Sequence, residues 1–422
     1  MSLKILAQAW NRFFFDPIAP TSLAIYRILT GLVFLWNAGI LFEDVEEFFG
    51  DGVLTEQTAL LLNGGQGMNL FRILPDGNAW IFSFFFIHVL SAIFVTLGFA
   101  TRVNLILLFL TFTSLCHRNP LIVNSGDSFL RICVFFLIFS PAGAALSIDR
   151  LIRLARGKEQ GPPALITPWV LRLIQLQTAW LYFTAYLWKI RGELWMNGTA
   201  VYYTTRLEEF WRFPLPYIFE HLWTIKLWTW GTLIIEFAMG TLIWIKELRY
   251  WVLLAGILLH LGIDYTMNIP LFGVIMVSAY ITFVEPQHIH QAFANFRNAL
   301  SRFLKLSPPL PVFYDGKCSF CRQSIAVVRA LDIFHRLRFI DMHSPEASLE
   351  FPDLDLERGA QEMMVRTHSG QWFGGFLAFR KLAKYLPLAW PILPFLHLPL
   401  ATRIGTRAYQ KVAANRYCLI NS

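Results

Sequence analysis

The most restrictive feature of this 422-residue sequence is a series of eight apolar runs. They lie near Thr21–Phe42, Ala79–Phe99, Val103–Cys116, Asp127–Leu146, Thr167–Lys189, Trp223–Ile245, Tyr250–Asp264 and Pro270–Val284. A helix needs about 20 residues to cross a hydrocarbon core of about 30 Å, and in lipid only a helix or a closed barrel satisfies its own backbone. The expected fold is therefore a polytopic α-helical membrane bundle of about eight spans. The third, seventh and eighth runs are short, so one of them could re-enter the membrane instead of crossing it.

Composition supports that reading. Apolar residues make up 55% of the chain and charged residues 15%, against roughly 25% charged in an ordinary globular protein. That is too little charge to coat three soluble domains, and the chain is too apolar to be disordered. The net charge of +8 comes from Lys and Arg placed between the apolar runs. Cytoplasmic loops explain it more simply than a nucleic-acid site, and no nucleic-acid partner is expected. With the N-terminus inside, the inner segments hold twelve Lys and Arg and the outer loops five. The expected location is thus a plasma membrane with both termini cytoplasmic and the lipid bilayer as partner. The first run carries Arg27, exceeds the length of a signal-peptide apolar core and lacks a small-residue cleavage site, so it reads as a span.

Near Glu285 the pattern changes. Residues 1–285 form the expected membrane domain, 286–310 a polar linker containing Ser307-Pro308-Pro309, and 311–422 a small soluble α/β domain. Pro311–Asp315 and Leu337–Asp341 read as strands flanking a helix over Arg322–Leu331. Glu362–Thr367 and Gln371–Gly374 read as a hairpin around His368-Ser369-Gly370, followed by a helix over Phe376–Leu386.

Cys318 and Cys321 stand where the first strand gives way to the helix. A cysteine there meets unpaired backbone N–H groups and the positive end of the helix dipole, which favour a thiolate. Cys321, one turn on, can attack a mixed disulfide at Cys318 and release the reduced product. Two inert cysteines, or half of a zinc site with poorly spaced His335, His343 and Cys418, are the alternatives; a closed zinc site needs four ligands, and no second cysteine pair supplies them. Cys116 and Cys133 flank an outer loop and could form a second dithiol, although packing in the core is the simpler reading.

The segment Tyr314-Asp315-Gly316-x-Cys318-x-x-Cys321, with Ala414-Asn415-Arg416-Tyr417, resembles the DCC family of thiol-disulfide oxidoreductases over about Pro311–Cys418. The resemblance implies a thioredoxin-like fold, in which Asp315 carries a proton to or from Cys321 or else caps the turn. One departure from thioredoxins is that no proline precedes the Glu362–Thr367 strand.

Ionisable residues within the spans include Arg27, His88, Arg131, Lys189, Glu236, His260 and Asp264, and each raises a functional question. His260 and Asp264 are four apart and share a helix face, where they are expected to neutralise each other. Glu236 is expected to pair with an arginine, and His88 to be a hydrogen-bonded interior histidine. Lys189 closes the fifth span among Tyr182, Tyr186, Trp188 and Trp195; a lysine there can snorkel to the interface or, desolvated, act as a base.

Leu23–Ile28, Phe49–Leu54, His117-Arg118-Asn119-Pro120, the Lys189…Trp195…Gly198 pattern and the His260 span resemble the HTTM domain over about residues 10–285. That domain is shared with vitamin K-dependent γ-carboxylase and with a bacterial maturation factor for a sporulation-delaying peptide toxin. In the carboxylase a lysine of the corresponding segment deprotonates reduced vitamin K, and Lys189 is the matching position. The resemblance leaves His260 and Arg27 as candidate cofactor contacts, with a membrane quinol as the implied cofactor. No long β-rich domain like the carboxylase's follows the spans.

The combined expectation is a membrane-anchored protein-disulfide reductase acting on a protein or peptide thiol. The alternatives are a quinol-dependent carboxylase or epoxidase with Lys189 as base, and a non-enzymatic maturation or immunity partner of a secreted peptide.

Overall fold

Each of the eight apolar runs carries a helix in the computed structural model, which describes residues 3–50, 54–65, 67–75 and 77–414. The helices are Thr21–Leu41, Asn78–Leu97, Thr101–Arg118, Ser125–Ile138, Trp169–Lys189, Leu222–Gly240, Lys246–Thr266 and Phe272–Tyr280. Thr21–Leu41, Asn78–Leu97 and Lys246–Thr266 are long and apolar enough to cross a membrane. Length and composition hold back the others. Ser125–Ile138 has 14 residues, about 21 Å at 1.5 Å per residue. Trp169–Lys189 is long enough, but Arg172, Gln175 and Gln177 interrupt its apolar character.

The chain forms two units, one from Met1–Asp149 and Ala164–Ile289, the other from Arg150–Pro163 and His290–Ser422. Most of the stretch read as a linker is helix, Pro286–Phe303, and Arg150–Pro163 groups with the second unit. Asn415, Arg416, Tyr417 and Cys418 lie outside the described residues, as do Asp51, Gly52 and Val53.

In the first unit, several residues of the family-like motifs tie the backbone together. Arg27 is fully buried and donates to the carbonyls of Ala142 at 3.0 Å and Leu146 at 2.5 Å. Gly98 ends Asn78–Leu97 in the left-handed region, where a Cβ would stand 2.4 Å from the Arg27 Nη1. Arg27, a candidate cofactor contact, is held by these carbonyls through its two Nη atoms, while its Nε is buried with no hydrogen-bond partner among the described residues. Arg118 likewise donates to the carbonyls of Gly50 and Leu54, and the Asn119 amide to that of Phe48. Arg118 and Asn119 on one side and Phe48, Gly50 and Leu54 on the other thus form one clasp.

The second unit holds a four-stranded mixed sheet: β1 (Leu310–Tyr314), β2 (Leu337–Asp341), β3 (Met364–Arg366) and β4 (Trp372–Gly374), in the order β2-β1-β3-β4. β1 runs parallel to β2, with Leu310 opposite Leu337 and Tyr314 opposite Asp341, and antiparallel to β3. Because side chains alternate along a strand, Leu310 and Val312 pack with Ile325, Val365 and Leu382 on one face, while Phe313 packs with Ile340, Phe351 and Met364 on the other. Both faces are covered, as a central strand without polar alternation requires. The expected connecting segment contains two short helices, Pro345–Glu350 and Leu356–Gln361, and helix Gly375–Ala383 follows the hairpin. Buried Asp332 accepts from the backbone N–H of Arg336 and Leu337 and so sets the start of β2. Burial pushes its carboxyl up, against the pull of those two donors and the nearby His335 and Arg336.

Candidate redox site

β1 ends at Tyr314 and the dithiol helix Ser319–Leu331 begins five residues later, so the intervening turn carries the motif. Cys318 is the N-cap of that helix, extended at φ −81° and ψ 118°, and its Sγ accepts the backbone N–H of Cys321 at 3.4 Å. A backbone N–H of the helix start, a position with no carbonyl acceptor one turn back, therefore points at the first sulfur. Cys318 is 6% exposed, Cys321 is half-buried, and neither is in a disulfide.

Asp315 faces the turn from the end of β1. Its carboxylate accepts the backbone N–H of Lys317 at 2.9 Å and lies 3.1 Å from the Nε2 of His343. Asp341 accepts the backbone N–H groups of Gly316 and His343, each at 3.1 Å. His343 belongs to this site, although its sequence position suggests only a poorly spaced metal ligand. The signal that finds it is the parallel pairing: Tyr314 lies opposite Asp341, so residues following the two strands emerge side by side.

Gly316 is required by this geometry. A Cβ there would stand 2.0 Å from the Asp341 carboxylate, whose short side chain is already held by two N–H donors. Gly316→Ala is expected to destabilise the second unit by about 1–3 kcal/mol, the range for overpacking. A lowered unfolding midpoint checks this, and an unchanged midpoint contradicts it.

Beside Cys321 lies a cavity of about 260 Å³ whose walls include Phe320, Val328, Met363, Phe379 and Tyr409, with Asp315 and Glu362 among its polar contributors. Helix Pro399–Ala414 closes it, and the Tyr409 hydroxyl anchors that helix by accepting the Met363 backbone N–H at 2.9 Å. A side chain entering the cavity would lie beside Cys321.

The helical unit contains a separate polar cluster. Lys189 donates to Glu236 and sits 5.2 Å above the Trp195 ring. The Tyr182 hydroxyl bridges the His260 Nε2 at 2.5 Å and the Tyr280 hydroxyl at 2.6 Å. The partner of Glu236 is therefore Lys189 and not an arginine. His260 and Asp264 do not neutralise each other: Asp264 accepts the backbone N–H of Gly273 and interacts with Arg212. A shared face on one helix says nothing about which groups the neighbouring helices bring. His88 bonds Thr111 at 2.9 Å inside the bundle, as expected. Cys116 and Cys133 are free and buried in the apolar core.

Comparison with protein families finds two matches within the chain. Residues 15–288 match the HTTM domain, and residues 312–421 match the DCC1-like thiol-disulfide oxidoreductase. No curated protein and no solved structure matches the chain.

Proposed function

The chain belongs to the HTTM family and carries a DCC1-like thiol-disulfide oxidoreductase domain, and from that premise we propose that it is a membrane-anchored protein-disulfide oxidoreductase working through Cys318 and Cys321. In this reading the eight helices anchor the module with the dithiol on the cytoplasmic side. The observation that carries the chemistry is the Cys321 N–H directed at the Cys318 Sγ from the start of a helix.

The reaction runs in two exchanges. The Cys318 thiolate attacks one sulfur of a substrate disulfide, forming a mixed disulfide and releasing one substrate thiolate, which takes up a proton. Cys321 then gives its proton to Asp315 and attacks the Cys318 sulfur. A Cys318–Cys321 disulfide forms and the second substrate thiol leaves, so two electrons pass from the dithiol to the substrate. His343 holds the Asp315 carboxylate in place during this step, and the apolar cavity receives the substrate's neighbouring side chain.

Treating the reduced protein with a peptide disulfide should yield two peptide thiols per chain and a loss of two hydrogens localised to the Cys318–Cys321 peptide. Absence of that internal disulfide would contradict the reading. Asp315→Asn should slow the second exchange about 10²-fold, the ordinary contribution of a positioned proton acceptor, while leaving the first unchanged. His343→Gln should reproduce part of that slowing and shift its pH profile.

A second reading is favoured by one observation in the helical unit. The Oε2 of Glu236 and the Nδ1 of His260 are buried and have no hydrogen-bond partner among the described residues. Such orphaned atoms call for a polar ligand, and a quinol's two hydroxyls fit the need. Lys189, Glu236 and His260 would hold it, with Lys189 as the base. When bound, a quinol supplies two electrons, the number that regenerates a dithiol.

A further inference from the structure

We propose that the dithiol unit has its own membrane-binding face, built from residues 388–404, which seats the unit on an anionic lipid surface. The inference rests on the reading that the chain is membrane-anchored and adds a second, peripheral contact that the helical unit does not supply.

Two observations carry it. First, a short, proline-rich apolar segment, Pro387–Leu396, leads into helix Pro399–Ala414 and leaves its large side chains in the open. Trp390 is 55% exposed, Phe395 67%, Leu398 54%, Leu400 63% and Ile404 64%. Isolated exposed apolar residues are ordinary, but a run of them along consecutive short elements marks a surface made for something other than water.

Second, charge divides sharply along the unit. Residues 341–362 carry seven Asp and Glu against one Arg, whereas residues 363–414 carry seven Lys and Arg and no acidic residue. Three of the basic residues, Arg403, Arg407 and Lys411, are exposed on the same helix as Leu400 and Ile404. Positions 400, 404, 407 and 411 follow one another at helical spacing, so they form one stripe that begins apolar and ends basic. Apolar side chains beside an unbroken basic flank, with a tryptophan at the edge, are the chemistry of an interfacial element: the apolar groups enter the acyl boundary and the cations meet anionic headgroups.

The same helix lines the cavity beside Cys321 through Tyr409, Val412 and Ala413. Seating this face on lipid holds the dithiol at the membrane surface, so the fitting substrate class is a disulfide in a membrane-bound or membrane-inserting polypeptide.

The test uses the full chain in lipid nanodiscs, with Cys318, Cys321 and Cys418 replaced by serine. Single cysteines are introduced as Phe395→Cys, Leu400→Cys, Leu349→Cys and Leu258→Cys, and each is labelled with bimane. Leu349 is 84% exposed in the acidic segment, and Leu258, 56% exposed, lies in helix Lys246–Thr266. Spin-labelled lipids should quench positions 395 and 400 at least about threefold more than position 349, as an interfacial element requires. The difference should shrink in neutral lipid at high salt. Quenching at 258 but not at 395 or 400 would overturn the peripheral face while leaving the anchored reading intact; quenching at none of the four would overturn both. Protection of 395 and 400 from aqueous quencher without lipid quenching would assign the face to a protein partner, and the proposal would fail.

Discussion

Replacing Cys318 by serine is expected to lower the rate of disulfide exchange by roughly 10³-fold or more, because a hydroxyl at this position cannot act as the nucleophile that the reaction requires. Replacing Cys321 should give a different defect. The first exchange proceeds, but nothing attacks the mixed disulfide, and a covalent complex with the substrate accumulates on Cys318. The asymmetry follows from the geometry: the Cys318 sulfur receives the N–H of the helix start, whereas Cys321 lines the cavity beside Asp315. Gel mobility without reductant, with mass spectrometry of the trapped species, separates the two variants. Equal trapping on either cysteine would contradict the assigned order of attack.

The second large effect is expected in the helical unit. Lys189→Met removes the cation that Glu236 engages and leaves a carboxylate that is only 8% exposed without its charge partner. Breaking a buried pair from one side costs roughly 3–5 kcal/mol, and the lower end applies because the Lys189 side chain is 26% exposed. Glu236→Gln should cost less, since the freed ammonium can reach toward the interface. The double variant should be more stable than Lys189→Met alone. Unfolding in detergent provides the cycle, and strictly additive losses would show that the two residues do not interact. A conservative variant separates a supporting role from a chemical one. Lys189→Arg keeps a cation beside Glu236 and should retain stability, but it cannot act as a base, so quinol-dependent activity should be lost if Lys189 is the base and kept if it only neutralises Glu236.

The legibility of the two units from sequence differed for physical reasons. The second strand appears at its expected bounds, Leu337–Asp341, and the dithiol turn stands where the strand–glycine–cysteine order puts it. Those features are local: a strand end, a turn and a helix start are all encoded within about ten residues. The helix at Pro286–Phe303 reads as polar linker because glutamine, histidine, asparagine and arginine lower its average hydropathy. Its periodicity was nevertheless available, since Ile289, Phe293, Phe296, Leu300 and Phe303 recur at spacings of four and three. Partners that depend on packing were not legible. The bonding of Tyr182 to both His260 and Tyr280, and the choice of Lys189 for Glu236, depend on which helices meet. His343 lies between these cases, because reading it required taking the parallel β1–β2 pairing one step further to the residues beyond the strand ends.

The central claim, a reduced dithiol working on the cytoplasmic face of a membrane, is tested most directly by alkylating Cys318 and Cys321 with a membrane-impermeant maleimide in intact and in lysed cells. The account predicts labelling only after lysis and without added reductant. Labelling in intact cells that appears only after reductant is added would place a disulfide outside the membrane, contradicting both the orientation and the reductase direction.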